Sequence, residues 1–204
     1  MNEKEMRHFI FEMRAENNEQ YGDFITGRPI VYNSRTDIGG FDEIIEAGAL
    51  DNADLRDVKF LVNHNTDMIP LARSRNNNAN STMQMSIDDN GMNIRVNLDT
   101  ENNTDAKNLY SAIKRGDIDG MSFMFKVDGE SWDALESDHP TRHINKIGKV
   151  FEVSAVTFPA YPETTISARA AETLESARAT LESAKRSEND IEVERMKAII
   201  KTKI

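Results

Sequence analysis

Residues 151–162 read FEVSAVTFPAYP, a mostly apolar stretch that carries Glu152 and Ser154 on one side of a predicted strand. Two shorter blocks of the same character precede it, FLVNH at residues 60–64 and DGMSF at residues 119–123. Short apolar runs that end at polar or turn-forming residues are typical of buried strands. The three blocks therefore predict a strand-rich body in which a few polar side chains lie among apolar ones.

The sequence around these blocks predicts further strands. Residues 83–87 and 92–98 alternate apolar and polar side chains around Asp88-Asp89-Asn90-Gly91, which predicts a hairpin with a positive-φ turn at Asn90-Gly91. Residues 1–20 predict an opening strand or arm. Other strands are predicted over Phe24–Tyr32 (interrupted from Gly27 to Pro29), Lys59–His64, Gly120–Val127 and Lys149–Phe158.

The remaining ranges of the body predict helices and loops. Asp105–Lys114 places its apolar residues on one helical face and is followed by Gly116, so a helix is expected to end there. A short helix is predicted over Phe41–Leu50. Arg73–Ser81 and Asp128–Lys146 are polar and predict loops.

Many short strands with few helices between them favour a mainly β (α+β) fold. We predict a small, closed or nearly closed antiparallel β-barrel over residues 1–162, flanked by helices. Residues 163–204 are rich in Ala, Glu, Arg and Ser and predict a helical tail, interrupted at Ser187–Asp190 before a last helix from Ile191. A 4-3-4-3 stripe in this tail is too short to be stable alone, so it should dock on the body or on a partner. The stripe comprises Ala170, Leu174, Ala177, Leu181 and Ala184.

The composition excludes several classes of function. The chain has 204 residues, no cysteine and a formal net charge of -10, with a pI of about 4.9. An acidic surface argues against nucleic acid and anionic membranes as partners. The lack of cysteine excludes disulfides, thiolate zinc sites and a cysteine nucleophile. The charged N-terminus resembles no signal peptide, and no stretch approaches the roughly 18 apolar residues of a membrane span.

Metal and cofactor sites are not predicted either. The four histidines are scattered, and although His139 and His143 are four residues apart, Pro140 between them argues against a shared helical face. The sequence also has no glycine-rich phosphate loop and no Gly-x-Ser-x-Gly motif. We therefore expect no metal and no cofactor.

Three residues in the strand-like blocks are the candidates for chemistry. Ser122 offers a hydroxyl, His64 an imidazole at a strand end and Glu152 a carboxylate on an otherwise apolar strand. A serine hydroxyl needs a base to take its proton, and an imidazole oriented by a carboxylate is such a base. Each residue also has a structural interpretation, as a small strand residue, a hydrogen-bonded histidine or a solvent-facing edge glutamate. His143 and His139 are the rival third members.

The three blocks together resemble the prohead maturation proteases of tailed phages, the HK97-like family, which is distantly related to the herpesvirus maturation proteases. The segment Gly39–Ile45 with Ala47–Leu50 matches as well, and the resemblance covers about Tyr21 to Pro162. It implies a serine endopeptidase with a β-barrel of the herpesvirus-protease type. In this family, the histidine strand supplies the base and the Met-Ser-Phe serine the nucleophile.

The resemblance assigns roles to residues of this chain. It implies His64 as the base, Ser122 as the nucleophile and Glu152 as the third member, although the herpesvirus relatives use a second histidine, which would favour His143. It implies as substrates the major capsid protein with its scaffold segment, or a separate scaffold, and the protease itself. Cleavage would take place inside the prohead, in the host cytoplasm.

Two other functions are compatible with the residues. One is a catalytically silent capsid assembly or scaffolding factor, which the helical tail and Met124, where the family often has glycine, favour. The other is an unrelated esterase with the same three residues, which the missing nucleophile motif disfavours. The tail, residues 163–204, would then serve assembly with scaffold helices or self-association.

Overall fold

The structure, a computed structural model, describes residues 4–10, 13–157 and 166–201. Phe11 and the end of the third block, Phe158 to Pro162, lie outside the described residues. The strands in the described part of the chain are β1 Glu5–Ile10, β2 Arg14–Asn18, β3 Gly22–Val31, β4 Arg35–Asp37, β5 Asp42–Ile45, β6 Asp57–Val62, β7 Ala72–Arg75, β8 Met83–Asp88, β9 Gly91–Asn97, β10 Gly120–Asp133 and β11 Thr141–Val156. The helices are α1 Thr104–Arg115 and α2 Ile166–Lys201.

The strands form two sheets, which confirms the prediction of a mainly β fold with helices. One sheet has the order β1-β10-β11-β5-β4, and β6 pairs with both β11 and β7. The other has the order β2-β3-β9-β8. Over the described residues neither sheet closes on itself, so the closed barrel is not confirmed.

The pairing of β6 with β11 departs from the expected antiparallel arrangement. Strand β6 runs parallel to β11, with Lys59 opposite Glu152 and Leu61 opposite Ser154. Parallel neighbours need a long crossover, and here the chain passes through β7 to β10 before it returns. This pair aligns the first and third sequence blocks side by side.

The core lies between the apolar faces of the two sheets and one face of α1. Its members are fully or almost fully buried, and each contributes roughly 1.5–3 kcal/mol by leaving water. They include Ile25, Ile30, Phe60, Met92, Ile94, Val96, Leu109, Ile113, Phe123, Phe125 and Val153. Both sides of the β10 segment around Ser122 are buried, since Met121, Ser122 and Phe123 all have zero exposure.

The predicted hairpin and body helix are confirmed. β8 and β9 pair with Asp88 opposite Gly91, so the turn consists of Asp89 and Asn90 and not of Asn90-Gly91. Gly91 carries the positive φ of 133°, and an added Cβ would overlap the Ile30 carbonyl. Helix α1 is capped by Asn103 and ends at Gly116 with a left-handed φ of 78°.

Three ranges differ from the sequence-based expectation. Phe41–Leu50 is strand β5 followed by turns and not a helix, because β5 pairs with β11 and buries Glu43 and Ile45. Most of Asp128–Lys146 belongs to β10 and β11, whose polar outer ends pair beyond the core. The polar loop predicted over Arg73–Ser81 begins as β7.

The chain divides into two compact units. The first comprises Met1–Thr36, Glu43–Ser131 and Arg142–Tyr161, and the second Asp37–Asp42, Trp132–Thr141 and Pro162–Ile204. The boundary that we predicted at residue 162 stays a prediction.

Within the second unit, α2 runs without the interruption predicted at Ser187–Asp190. Leu174 of the predicted stripe is buried against Ile38 and Phe41. Arg178 donates to the carbonyl of Leu135 at 3.1 Å. The first half of α2 is thus anchored by an apolar contact and by polar contacts. Neither helix, over the residues that the structure describes, has the length and apolar character to span a membrane.

Candidate active site

The parallel pairing of β6 and β11 brings His64 to Glu152. His64 lies two residues beyond the end of β6, and its Nδ1 is 2.5 Å from Glu152 Oε1. The Glu152 residue is 3% exposed, so its carboxylate is almost completely removed from water. A buried carboxylate is costly without partners, and the imidazole is one of them.

Ser154 is the second partner of the carboxylate. Its Oγ donates to Glu152 Oε2 at 2.6 Å and accepts a hydrogen bond from the backbone N–H of His64 at 3.1 Å. Ser154 has zero exposure. Each oxygen of Glu152 therefore has a hydrogen-bonding partner, which fixes the orientation of the carboxylate towards His64.

The turn that carries His64 has an uncommon backbone. Asn63 and His64 have φ values of 50° and 56°, in the left-handed region that side chains other than glycine rarely adopt. The Asn63 side chain connects this turn to the end of β11, because its Nδ2 donates to Thr157 Oγ1 at 3.0 Å and its Oδ1 accepts from Thr157 N at 2.9 Å. Asn63 N also donates to the Ala155 carbonyl at 2.9 Å.

Ser122 lies on β10, the neighbour of β11 in the sheet. Cβ atoms built on Gly129 and Gly148 would meet Asn145 and Asp128, which shows that β10 and β11 run antiparallel. The nucleophile candidate and the carboxylate thus lie on adjacent strands.

The Ser122 hydroxyl itself is engaged on the other side of β10. It donates to the backbone carbonyl of Arg7 at 2.8 Å, and β1 pairs with β10 so that His8 lies opposite Ser122. A hydroxyl has one proton to donate. In this arrangement, the Ser122 proton is directed to β1 and not to His64.

The rival third members have other partners. His143 lies on β11 nine residues before Glu152, which in an extended strand is about 30 Å away. Its Nδ1 is 2.5 Å from Glu46 Oε1. His139 is exposed, and its Nε2 is 3.2 Å from Asp42 Oδ1. The contact with His64 therefore favours Glu152 over both histidines.

One group of side chains has the donor types of a metal site. Asp37, Asp42 and His139 offer three ligand atoms within 4.8 Å of one another. Asp37 and His139 are exposed, and exposed acidic groups of this kind are common on protein surfaces without a metal.

A polar groove lies elsewhere in the first unit. It has a volume of about 750 Å³ and is lined by polar residues of β2, β3, β8 and β9, among them Arg14, Thr26 and Arg95. None of the residues around Glu152 lines it. The groove is the solvated outer face of the four-stranded sheet.

Sequence reasoning noted Ser154 only as the neighbour of Glu152 on one strand face, and it missed Asn63, Thr157 and the Arg7 carbonyl. The residue type at Asn63 was a weak indication of a left-handed turn, since asparagine tolerates that conformation better than most residues. Ser154 accepts from His64, which lies just beyond β6 and 90 residues away, and Ser122 donates to Arg7 of β1, which is 115 residues away. No local pattern encodes such a pairing.

Comparison with known proteins identifies a family. The family described as Caudovirus prohead serine protease matches residues 10–178. Among solved structures, the capsid assembly protease gp21 of bacteriophage T4 is similar with 14% sequence identity and a TM-score of 0.41, over 76% of this chain and 99% of that one. No curated protein matches the chain.

Proposed function

This chain belongs to the family of caudovirus prohead serine proteases, and we propose that it is an active serine endopeptidase that cleaves capsid or scaffolding protein during prohead maturation. Membership of the family makes it a phage protein of the prohead protease type. The observation that carries the proposal of activity is the contact between His64 Nδ1 and the buried carboxylate of Glu152, on the strand next to that of Ser122.

The pair His64 and Glu152 supplies the base. When Nδ1 carries the proton and donates it to Glu152, Nε2 keeps its lone pair and can accept a proton from a hydroxyl. The carboxylate then stabilises the imidazolium that forms. Glu152 is fixed by Ser154, so the ring does not have to be oriented during the reaction.

Ser122 is the proposed nucleophile. Its side chain turns from the Arg7 carbonyl to another staggered position and directs its proton to His64. The oxygen attacks the peptide carbonyl as His64 takes the proton, and the tetrahedral intermediate collapses to an acyl-enzyme when His64 returns the proton to the leaving amine. Water, activated by the same imidazole, hydrolyses the ester and restores the Ser122 hydroxyl.

The proposal is tested by co-expression with the cognate capsid protein, followed by gel electrophoresis and mass spectrometry. Wild type is expected to yield discrete capsid-protein fragments, and Ser122→Ala none. Ser86→Ala, which removes an exposed hydroxyl on β8, is the matched control and should cleave as wild type does. Equal cleavage by Ser122→Ala would contradict the assignment of the nucleophile.

The second candidate is a catalytically silent assembly factor on the same fold. It is favoured by the zero exposure of Ser122 and the bond of its hydroxyl to the Arg7 carbonyl. Capsids that assemble efficiently without cleavage by wild type would support this function over the protease.

Finer parts of the proposal concern substrates, place and partners. We propose the scaffold segment of the major capsid protein and the chain itself as substrates, and the inside of the prohead in the host cytoplasm as the place of cleavage. Residues 1–162 would be the protease domain, distantly related in fold to the herpesvirus proteases. The proposed role of α2 is to bind scaffold helices, which is supported by its exposed Ile191, Val193 and Met196.

A further inference from the structure

We propose that Ser154 is a positioning residue of the catalytic site, which holds both the carboxylate of Glu152 and the backbone of His64; this inference rests on the proposed protease function. The hydrogen bonds form a closed ring. The His64 N–H donates to Ser154 Oγ at 3.1 Å, Ser154 Oγ donates to Glu152 Oε2 at 2.6 Å, and Glu152 Oε1 is 2.5 Å from His64 Nδ1.

In this ring, the Ser154 hydroxyl is both a hydrogen-bond donor and a hydrogen-bond acceptor. Its proton goes to an almost fully buried carboxylate, where a charge-assisted bond is strong because little water competes. Its oxygen receives the His64 N–H, which a residue without a hydroxyl could not accept. Alanine at position 154 would therefore release Glu152 Oε2 and the His64 backbone at once.

The backbone of His64 needs this support. Left-handed conformation costs a residue other than glycine about 1–2 kcal/mol, and Asn63 and His64 adopt it in succession. Asn63 is held by Thr157, whereas the His64 N–H is held by Ser154. Ser154 thus fixes the point from which the imidazole projects, and a displacement of about 1 Å in a reacting group costs on the order of 100-fold in rate.

The geometry separates the roles of Ser154 and Ser122. The Ser154 proton is directed to the anionic Glu152, and that hydroxyl already accepts a hydrogen bond from the chain. The Ser122 hydroxyl is bound to a neutral carbonyl. Removal of the Ser154 hydroxyl should therefore weaken catalysis without abolishing it, in contrast to removal of the Ser122 hydroxyl.

The experiment measures kcat and KM of the full chain on a peptide that spans a capsid-protein cleavage site. Ser154→Ala is expected to lower kcat about 10- to 100-fold and to leave KM within about threefold of wild type. Ser74→Ala is the matched control, because Ser74 also has zero exposure and its hydroxyl bonds neither His64 nor Glu152. The control should keep the wild-type kcat.

A second measurement does not depend on turnover. In the Ser122→Ala background, the proton NMR signal of the His64 ring N–H bonded to Glu152 is expected downfield, and addition of Ser154→Ala should shift or broaden it. If Ser154→Ala does not fold, Ser154→Cys, which keeps a weaker donor of similar size, should give a kcat between wild type and Ser122→Ala. An unchanged kcat or an unchanged signal would overturn the inference.

The protease function and the role of Ser154 would be contradicted by different experimental outcomes. A wild-type chain that does not cleave the peptide would overturn the protease function and the inference with it. A wild type that cleaves, with Ser154→Ala equally active, would overturn only the role of Ser154. Complete loss in Ser154→Ala, with activity kept by Ser122→Ala, would make Ser154 the nucleophile and would likewise overturn it.

Discussion

At the scale of single residues, the proposed base is held by side chains and not by regular structure. His64 lies beyond the end of β6, in a turn where it and Asn63 both have left-handed φ values. The two residues persist in this conformation because Thr157 and Ser154 hold them. Turns that are held in an uncommon conformation by several hydrogen bonds are typical of functional sites, because they fix the position of a side chain.

Asn63 allows the backbone and the side chain of this turn to be tested separately. Asn63→Gly keeps the left-handed conformation but loses both bonds to Thr157, so the free energy of unfolding should fall by about 1 kcal/mol. Asn63→Ala also loses these bonds and must place a Cβ in the left-handed region, so it should be about 1 kcal/mol less stable than the glycine variant. Urea unfolding measures both differences. Equal stability of the two variants would show that this backbone position is not strained.

At the scale of elements, strand pairing assembles the site. β11 has β10 as one neighbour and, in its second half, the parallel β6 on the other side. The strand of Ser122 and the strand that leads to His64 therefore both pair with β11, which carries Glu152. β1, on the far side of β10, supplies the carbonyl that binds the Ser122 hydroxyl. The contacts of the site are thus set by four strands, β1, β6, β10 and β11.

Helix α2 is the element to which the proposed assembly role belongs. Ile191 and Met196 are 60% and 57% exposed, and burial of such side chains against a scaffold helix would contribute roughly 1.5–3 kcal/mol each. The double variant Ile191→Glu, Met196→Glu should therefore reduce incorporation into proheads at least about tenfold. Incorporation is measured by sedimentation of co-expressed particles and gel electrophoresis.

The control for α2 is Glu192→Gln, which changes an exposed residue of the same helix turn and should leave incorporation unchanged. Circular dichroism should show equal helix content in all variants, since none of the altered residues is buried. Wild-type incorporation of the double variant would contradict the role of this surface.

At the scale of the whole molecule, a buried charge network connects four strands of the first unit. Arg142 is 2% exposed and donates to Glu5 at 2.6 Å and to Glu43 at 3.0 Å. Arg7 donates to Glu5 and Glu43, and Glu130 accepts from Arg142 at 2.8 Å. The network links β1, β5, β10 and β11, and so it holds the strand whose carbonyl binds Ser122.

The network is electrostatically satisfied in spite of its burial. Burial works against ionisation of Glu5, but the hydrogen bond from Arg142 and the charge of Arg7 outweigh it and hold the pKa of Glu5 below its ordinary value of 4.5. Burial likewise opposes the charge of Arg142, but its carboxylate partners raise its pKa above the ordinary value. Because the pKa of Glu5 is lowered by folding, its stabilising contribution is complete above pH 4.5 and is lost as the pH falls through the folded-state value.

Substitution of Arg142 should therefore lower the stability of the fold strongly. Arg142→Met leaves the buried carboxylates without their main partner, and the free energy of unfolding at pH 7 should fall by about 3–5 kcal/mol. Thermal and urea unfolding measure the loss, and the difference from wild type should shrink as the pH falls below 4.5. Arg56→Met breaks an exposed pair with Asp54 and should change stability little. Equal effects of the two variants would show that the network adds nothing specific.

Much of the site could be predicted from the sequence, because its residues lie in blocks with strong local patterns. The apolar blocks predicted β6, β10 and β11, although β6 ends at Val62 and leaves His64 in a turn. Alternation around Gly91 predicted the β8–β9 hairpin, and apolar spacing with a following glycine predicted α1. The resemblance of the same blocks to prohead proteases predicted the family that the comparisons show. Periodicity, turn residues and motifs act over a few residues, so they are visible in the chain itself.

Only the tertiary structure decided how distant segments pair. Asp42–Ile45 is a strand because β11 offers it a partner, and the parallel register of β6 brings His64 to Glu152. The polar ends of β10 and β11 are strands because they pair with each other, although their composition predicted a loop. Ser122 received the Arg7 carbonyl and Ser154 the His64 N–H in the same way, from segments far away in sequence. Each hydrogen bond between strands, and each contact of a buried polar group with a distant residue, joins two segments of the chain. The sequence of one segment does not specify which other segment it will meet.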